Sequence, residues 1–300
     1  MPQIISCSRR SDVPALHARW LMARLRAGFC EIVNPFNSTQ VERVSLQRDS
    51  VAAIVFWTRW PRPLRCHLDE IEDRCGPALW LVTITGYPRQ LDPRTPPWQR
   101  AAEEVQRLAA DRGPRPIHWR YDPIVVSSLT PLSFHEDSFG RIAERLAGAT
   151  AVCHLSFVDV DYRKTARRLA DLARTGVRVE AVDIDEQRAL GRRLAAIGAR
   201  LGIDVVSCCE PALFIRPAGC IDVGWVRSVT GDRDLVALPR PTRPGCLCSA
   251  SKDIGAYDTC SLGCIYCYAT RSDQAGRDGR RRVDASSASL WPGPKNPVSD

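Results

Sequence analysis

The sequence predicts an α/β fold built on a parallel sheet: a (β/α) TIM-barrel-like unit or partial barrel with a cysteine-rich C-terminal segment. Three observations carry this. Apolar runs of strand length alternate with stretches of helical period up to about residue 210, and such alternation implies right-handed crossovers between parallel strands. The runs at 51–57 and 79–85 are continuously apolar, as expected of strands covered on both faces. No Gly-rich dinucleotide fingerprint follows any strand, which weakens the case for a doubly wound open sheet.

Residues 3–8 read as the first strand. Pro14 opens a helix at a position where its missing N–H costs nothing, Ala18, Leu21, Met22 and Leu25 share one face, and Gly28 stops it. A strand at 29–34 runs into the turn Asn34-Pro35-Phe36-Asn37. Strands then fall at 51–57, 79–85, 117–121, 152–158 and 203–208, with helices at 64–74, 98–110, 134–146, 162–174 and 186–201. The last helix carries the stripe Leu190, Leu194, Ile197 and Leu201, and Asp183 with Glu186 forms a capping-box-like start. About seven strands suffice for a full or partial barrel. We therefore divide the chain into a barrel-like domain at 1–210, a cysteine-rich segment at 211–270 packed on the barrel mouth, and a disordered tail at 271–300 rich in Arg, Ser, Gly and Pro.

With 300 residues, 44% hydrophobic and 25% charged, the chain has the composition of a globular protein. No apolar run approaches the roughly 20 residues of a membrane span. The N-terminus lacks the apolar core of a secretory signal, so a cytoplasmic location with reduced thiols is expected, and cysteines there more often bind metal than pair. The net charge of +8 comes mostly from dispersed arginines. Only Arg280-Arg281-Arg282 forms a tight basic run, so nucleic acid is the less favoured partner and a small-molecule substrate the favoured one.

In a parallel barrel, functional groups gather at the carboxyl ends of the strands. Here those ends carry Arg9, Arg10, Asn34, Arg120, Asp122 and Glu210, the candidate binding residues. Taken singly, each also reads as a solvated loop residue or helix cap, as Asp12 does before Pro14. The five histidines show no metal-ligand spacing among themselves, and His154 reads as a satisfied core residue. No nucleophile elbow or phosphate loop occurs.

Among 13 cysteines, Cys260, Cys264 and Cys267 stand out in Cys260-Ser261-Leu262-Gly263-Cys264-Ile265-Tyr266-Cys267. Soft thiolates at gaps of three and two residues suit zinc, copper or an iron–sulfur cluster held by one short loop. Cys209, Cys220, Cys246 and Cys248 form a candidate second set, for a zinc ion or a second iron–sulfur cluster. Cys7, Cys30, Cys66, Cys75 and Cys153 read as buried or incidental thiols.

The Cys-x-x-x-Cys-x-x-Cys loop, with Tyr266 before its last cysteine, resembles the cluster motif of radical S-adenosylmethionine enzymes. The resemblance implies a 4Fe-4S cluster on Cys260, Cys264 and Cys267, with its fourth iron open to S-adenosyl-L-methionine. It also implies reductive cleavage to a 5'-deoxyadenosyl radical, Tyr266 beside the adenine, and an electron donor such as a flavodoxin or ferredoxin. In that superfamily the motif follows the first strand, and a Gly-Gly-Glu segment binds the methionine amino group. Here the motif follows nearly all strands and Gly-Gly-Glu is absent, which implies a circularly rearranged barrel. A wider set of motifs, Ser8-Arg9-Arg10-Ser11-Asp12, Asn34-Pro35-Phe36-Asn37, Phe56-Trp57-Thr58, Trp119-Arg120-Tyr121-Asp122-Pro123 and Asp253-Ile254-Gly255, is similar to a bacterial family, domain of unknown function 1848. Two alternatives stay open: a non-catalytic zinc or iron–sulfur metalloprotein, and a nucleic-acid-acting radical repair or modification enzyme.

Overall fold

The computed structural model describes residues 2–160, 162–291 and 293. In chain order its elements are β1 (Gln3–Cys7), α1 (Val13–Leu16), α2 (Ala18–Ala27), β2 (Phe29–Asn34), β3 (Asn37–Ser45) and β4 (Val51–Thr58). Next come α3 (Arg62–Arg65), α4 (Leu68–Cys75), β5 (Ala78–Thr83), α5 (Trp98–Arg112), β6 (Ile117–Ile124), α6 (Leu132–Leu146), β7 (Val152–Phe157) and α7 (Arg163–Ala173). The chain continues through α8 (Ile184–Arg200), β8 (Asp204–Ser207), α9 (Val223–Thr230), β9 (Lys252–Asp253) and α10 (Asp273–Arg282).

Seven strands form one sheet in the order β8-β7-β6-β5-β4-β1-β9, with every pairing parallel. Among the described residues no pairing joins β8 to β9, so the sheet is open and no barrel closes. Because side chains alternate across a strand, each strand feeds two cores. Ile5, Phe56, Trp80, Trp119 and Leu155 lie in the large core with residues of α2, α4, α5, α6 and α8. Ile4, Val55, Trp57, Leu79 and Leu81 lie in a second core with Cys208, Cys220, Trp225, Val226, Cys246 and Cys248. Much of segment 211–270 therefore packs on the inner face of the sheet. No helix among the described residues is long and apolar enough to cross a membrane.

Local chemistry matches much of the sequence reading. Asp12 caps α1, accepting from the Ala15 N–H at 3.0 Å. Asp183 and Glu186 form the capping box of α8. Two predicted helices are each broken into two, at His17 and around Cys66 and His67.

Two expectations fail. The 29–34 run is a strand, as predicted, but not one of the parallel sheet: β2 pairs antiparallel with β3 in a separate two-stranded sheet. The tight turn after Asn34 allows only an antiparallel return, since a parallel neighbour needs a long crossover. β3 is almost entirely exposed and polar, so no apolar pattern announced it. The strand that completes the sheet is instead β9, whose two residues are too few to leave a periodic signal.

The tail is also ordered. Ser272 caps α10 through the Ala275 N–H, Leu290 is buried, and Trp20 Nε1 donates to the Ser287 carbonyl at 3.0 Å. Residues 292 and 294–300 of the predicted tail lie outside the described residues. α10 was hard to foresee because it packs through glycines rather than apolar side chains. A Cβ on Gly276 would run into the Cys260 carbonyl oxygen, and one on Gly279 into that of Asp258. The helix thus lies directly on the backbone leading into the cysteine loop. The run Arg280-Arg281-Arg282 is engaged there: Arg280 donates to Ser261 Oγ at 3.0 Å and Arg281 pairs with Asp278.

Two stability tests follow. Gly279→Ala should cost on the order of 2–4 kcal/mol, because its obstacle is backbone, which cannot move aside. Gly140→Ala, in open space on α6, should instead stabilise by roughly 0.5–1 kcal/mol. Urea unfolding of both variants checks the contrast; equal effects would show that α10 is not seated as described. His135 supplies the second test. It is buried between the Tyr121 hydroxyl (3.0 Å) and the Val125 carbonyl (3.1 Å), and burial lowers its pKa from 6.5 to about 4. The carbonyl can only accept, so Nε2 carries the proton and Nδ1 accepts from Tyr121. Between these pH values the unfolded chain binds more protons than the folded one. Stability is therefore complete above about pH 6.5 and falls, by on the order of 3 kcal/mol, as pH drops towards 4. His135→Gln should reduce the pH 5 to 7 slope of the unfolding free energy without abolishing it, because buried His17, lowered likewise to about 4, acts over the same range; an unchanged slope would clear His135 of this role.

Candidate functional site

The carboxyl ends of the parallel strands surround a cavity of about 450 Å³, within the range that holds small ligands. Its wall takes Ser8 to Asp12 after β1, Trp57 to Arg59 from β4, Thr83 from β5, Arg120 and Asp122 from β6, and Ser156 to Asp159 after β7. Cys208 and Cys209 follow β8, Cys246 and Cys248 precede β9, and the loop from Cys260 to Ala269 lines the same cavity. An open groove at the other end of the sheet, of about 920 Å³, is occupied by mutual ion pairs such as Arg112 with Glu72 and Asp69.

The late cysteine loop reaches this mouth because β9 returns the chain to β1. Asp253 accepts from Ser6 Oγ, Ser8 Oγ and the Arg9 N–H, each at 2.8 Å. From there the backbone runs directly to the loop. Gly263 sits at φ +81°, the left-handed region that glycine occupies without strain. Arg168 donates to the Gly263 and Cys267 carbonyls and to Thr270 Oγ1, while Arg94 Nε donates to the Ser261 carbonyl at 2.6 Å. His17 Nε2 lies 2.9 Å from the Thr259 carbonyl and must carry the proton towards it.

Tyr266 is locked in place. Its hydroxyl donates to Asp92 at 2.7 Å and accepts from Arg59, which also pairs with Asp92 at 3.0 Å. Its ring meets Tyr87 edge-on at 5.7 Å. Arg59 Cζ also sits 5.7 Å from the ring centroid. Asp12 faces the same cavity, accepting from Thr58 Oγ1 and the Arg59 N–H, both at 2.7 Å. Burial nonetheless pushes its carboxyl up to about 6.

Burial also governs the loop thiols. It pushes Cys260 up to about 12 and Cys264 well above the ordinary thiol range, although Arg59 pulls Cys264 down. A thiolate at Cys260 or Cys264 thus needs a positive partner, which a bound metal would supply. The donor set fits an iron–sulfur cluster: three sulfurs from one short loop line one cavity, and Cys267 Sγ accepts from the Ala269 N–H at 3.3 Å. Among the described residues no group of three or more His, Cys, Asp or Glu side chains is arranged to hold a single metal ion. A cluster differs, because its thiolates bind separate irons and need not converge on one point.

Of the sequence candidates, Arg9, Arg10, Arg120, Asp122 and Tyr266 line the cavity, as do Cys209, Cys220, Cys246, Cys248 and the three loop cysteines. Two do not. Asn34 lies on the separate hairpin, bonded to Gln40 at 2.7 Å. Glu210 accepts from the Phe157 N–H at 3.2 Å and so ties the ends of β7 and β8 together. Cys7, Cys30, Cys75 and Cys153 are buried and Cys66 exposed, and all thirteen cysteines are free thiols.

Sequence reasoning missed the Arg59–Asp92 pair, which lies 33 positions apart, and the role of Trp57. Both Arg9 and Arg120 place their guanidinium carbons near the Trp57 ring, at 5.1 and 4.8 Å. Arg120 also pairs with Asp122, which accepts from Ser156. His154 is only half satisfied: Nε2 meets His118 Nδ1 at 3.0 Å, while Nδ1 is buried without a partner.

No curated protein and no solved structure matches this chain. The family model described as "Domain of unknown function (DUF1848)" matches residues 4–269, from the start of β1 through the cysteine loop and the whole cavity wall. The chain therefore belongs to the family of domain of unknown function 1848.

Proposed function

We propose that this protein is a cytoplasmic radical S-adenosylmethionine-type enzyme acting on a small molecule, with Cys260, Cys264 and Cys267 as the ligands of a 4Fe-4S cluster. The observation that carries the reading is the meeting of this three-thiol loop with the strand-end cavity. In this reading the open sheet is part of a (β/α) barrel with circularly rearranged chain order, and the loop takes after the last strand the place it usually takes after the first.

When bound, the cluster and S-adenosyl-L-methionine supply an electron-driven cleavage to a 5'-deoxyadenosyl radical, with a flavodoxin or ferredoxin as electron source. The chain's own residues do the rest. Arg59 and Asp92 hold Tyr266 rigid, so its backbone and ring can form a fixed wall for an adenine. Arg9, Arg10 and Arg120 give the cavity cationic positions for a carboxylate, the part a missing Gly-Gly-Glu segment leaves unspecified. The buried Trp57 ring carries the Arg9 and Arg120 guanidiniums over it and so positions both cations at the cavity wall.

Anaerobic reconstitution with iron and sulfide, followed by reduction with S-adenosyl-L-methionine present, should release 5'-deoxyadenosine. Cys264→Ala should abolish that release and lower the iron content, while Arg59→Lys should keep the iron and weaken S-adenosyl-L-methionine binding about tenfold or more, through the loosened Tyr266. A wild-type protein that takes up no iron and sulfide, or a Cys264→Ala variant as active as wild type, would sink the proposal.

A further inference from the structure

Five of the cavity's cysteines lie outside the loop already discussed. We propose that four of them, Cys208, Cys220, Cys246 and Cys248, hold a second iron–sulfur cluster. All four are buried members of the inner-face core, and all four line the cavity. Cys208 Sγ lies 3.1 Å from Cys220 Sγ, a thiol–thiol hydrogen bond. The fifth, Cys209, belongs elsewhere. Its backbone is left-handed at φ 60°, it is only half-buried, and its sulfur, 3.8 Å from Cys208 Sγ, is drawn outward to Arg243.

The second observation is independent of the sulfurs. Among the described residues five side-chain polar atoms are buried with no partner, and three of them are Arg9 Nη2, Arg120 Nε and His154 Nδ1. All three side chains interact electrostatically with this thiol group, Arg9 with Cys248 and Cys220, Arg120 and His154 with Cys220. Leaving polar atoms buried and unpaired is costly. If the four cysteines were only packing groups, that cost would have no return. An iron–sulfur cluster on four thiolates is an anion, and its sulfurs accept N–H bonds, so it would satisfy these groups together. The Cys208 and Cys220 thiols, hydrogen-bonded to each other, must lose their protons and separate onto different irons as the cluster assembles.

The test is iron and acid-labile sulfide content with electron paramagnetic resonance on anaerobically reconstituted full-length protein. Wild type should hold about eight irons and eight sulfides per chain. The variant Cys260→Ala/Cys264→Ala/Cys267→Ala should keep about four of each, with a cluster signal that its own Cys220→Ser or Cys248→Ser derivative loses. Cys209→Ser alone should keep all eight. Four irons in wild type and none in the triple variant would overturn the second cluster and leave the proposed function standing. One zinc per chain without sulfide in the triple variant would overturn it too, as would a Cys209→Ser variant that loses a cluster while Cys246→Ser keeps both. The triple variant leaves the inner core untouched, so the iron and sulfide count that tests for a second cluster does not depend on core cysteine variants folding.

Discussion

Asp253 is the constraint on which the mouth of this molecule depends. One carboxylate accepts from two serine hydroxyls and a backbone N–H of the β1 end, and also from the Gly255 N–H at 3.1 Å. A carboxylate with this many donors is held in one position, and its geometry fixes β9 beside β1 although only two residue pairs join the strands. Gly255 must lack a side chain there, because a Cβ would strike Ser8. The interaction spans 245 positions of sequence. Without it, the cysteine loop would have no fixed relation to the strand ends that face it.

The two faces of the sheet divide the labour of folding and chemistry. The outer face buries large aromatics, Trp80, Trp119 and Phe56, against helices and carries the bulk of the hydrophobic stabilisation. The inner face is apolar near the amino ends of the strands and turns polar towards their carboxyl ends. Along β6 the inward positions are His118, Arg120 and Asp122, and along β7 His154 and Ser156. His118 stacks on Trp225 at 3.8 Å, so the boundary between the two zones is itself an aromatic contact.

Much of this was legible in the sequence, and what was missed has physical causes. Continuous apolar runs identified the central strands, because a parallel strand covered on both faces has no other way to read. The capping residues Asp12 and Asp183 were legible because a cap is a local interaction of three residues. β9 was not, because its place in the sheet is set by the Asp253 carboxylate rather than by apolar periodicity. α10 was not, because glycine contact with backbone leaves no hydrophobic signature. Asn34 was placed at the mouth by counting its run as a sheet strand, although the turn that follows it demands a hairpin. The loop cysteines were found by spacing alone, whereas Arg59 and Asp92, which fix Tyr266, carry no pattern and become visible only in three dimensions.

Chain order and spatial order are separable in a parallel sheet, and this explains how a cysteine loop can come last. A loop needs to leave the carboxyl end of a strand at the rim of the cavity; which strand it leaves is free, provided the strand pairs in parallel. β9 meets that condition at the edge next to β1, so the loop emerging after it lies beside the Ser8 to Asp12 turn that follows the first strand. Tyr268 confirms the proximity, its hydroxyl donating to the Arg9 carbonyl at 2.8 Å. The same edge position explains the support the loop requires. An internal strand would brace it from both sides, whereas β9 has one neighbour, and α10, Arg94 and Arg168 supply the contacts that the open edge lacks.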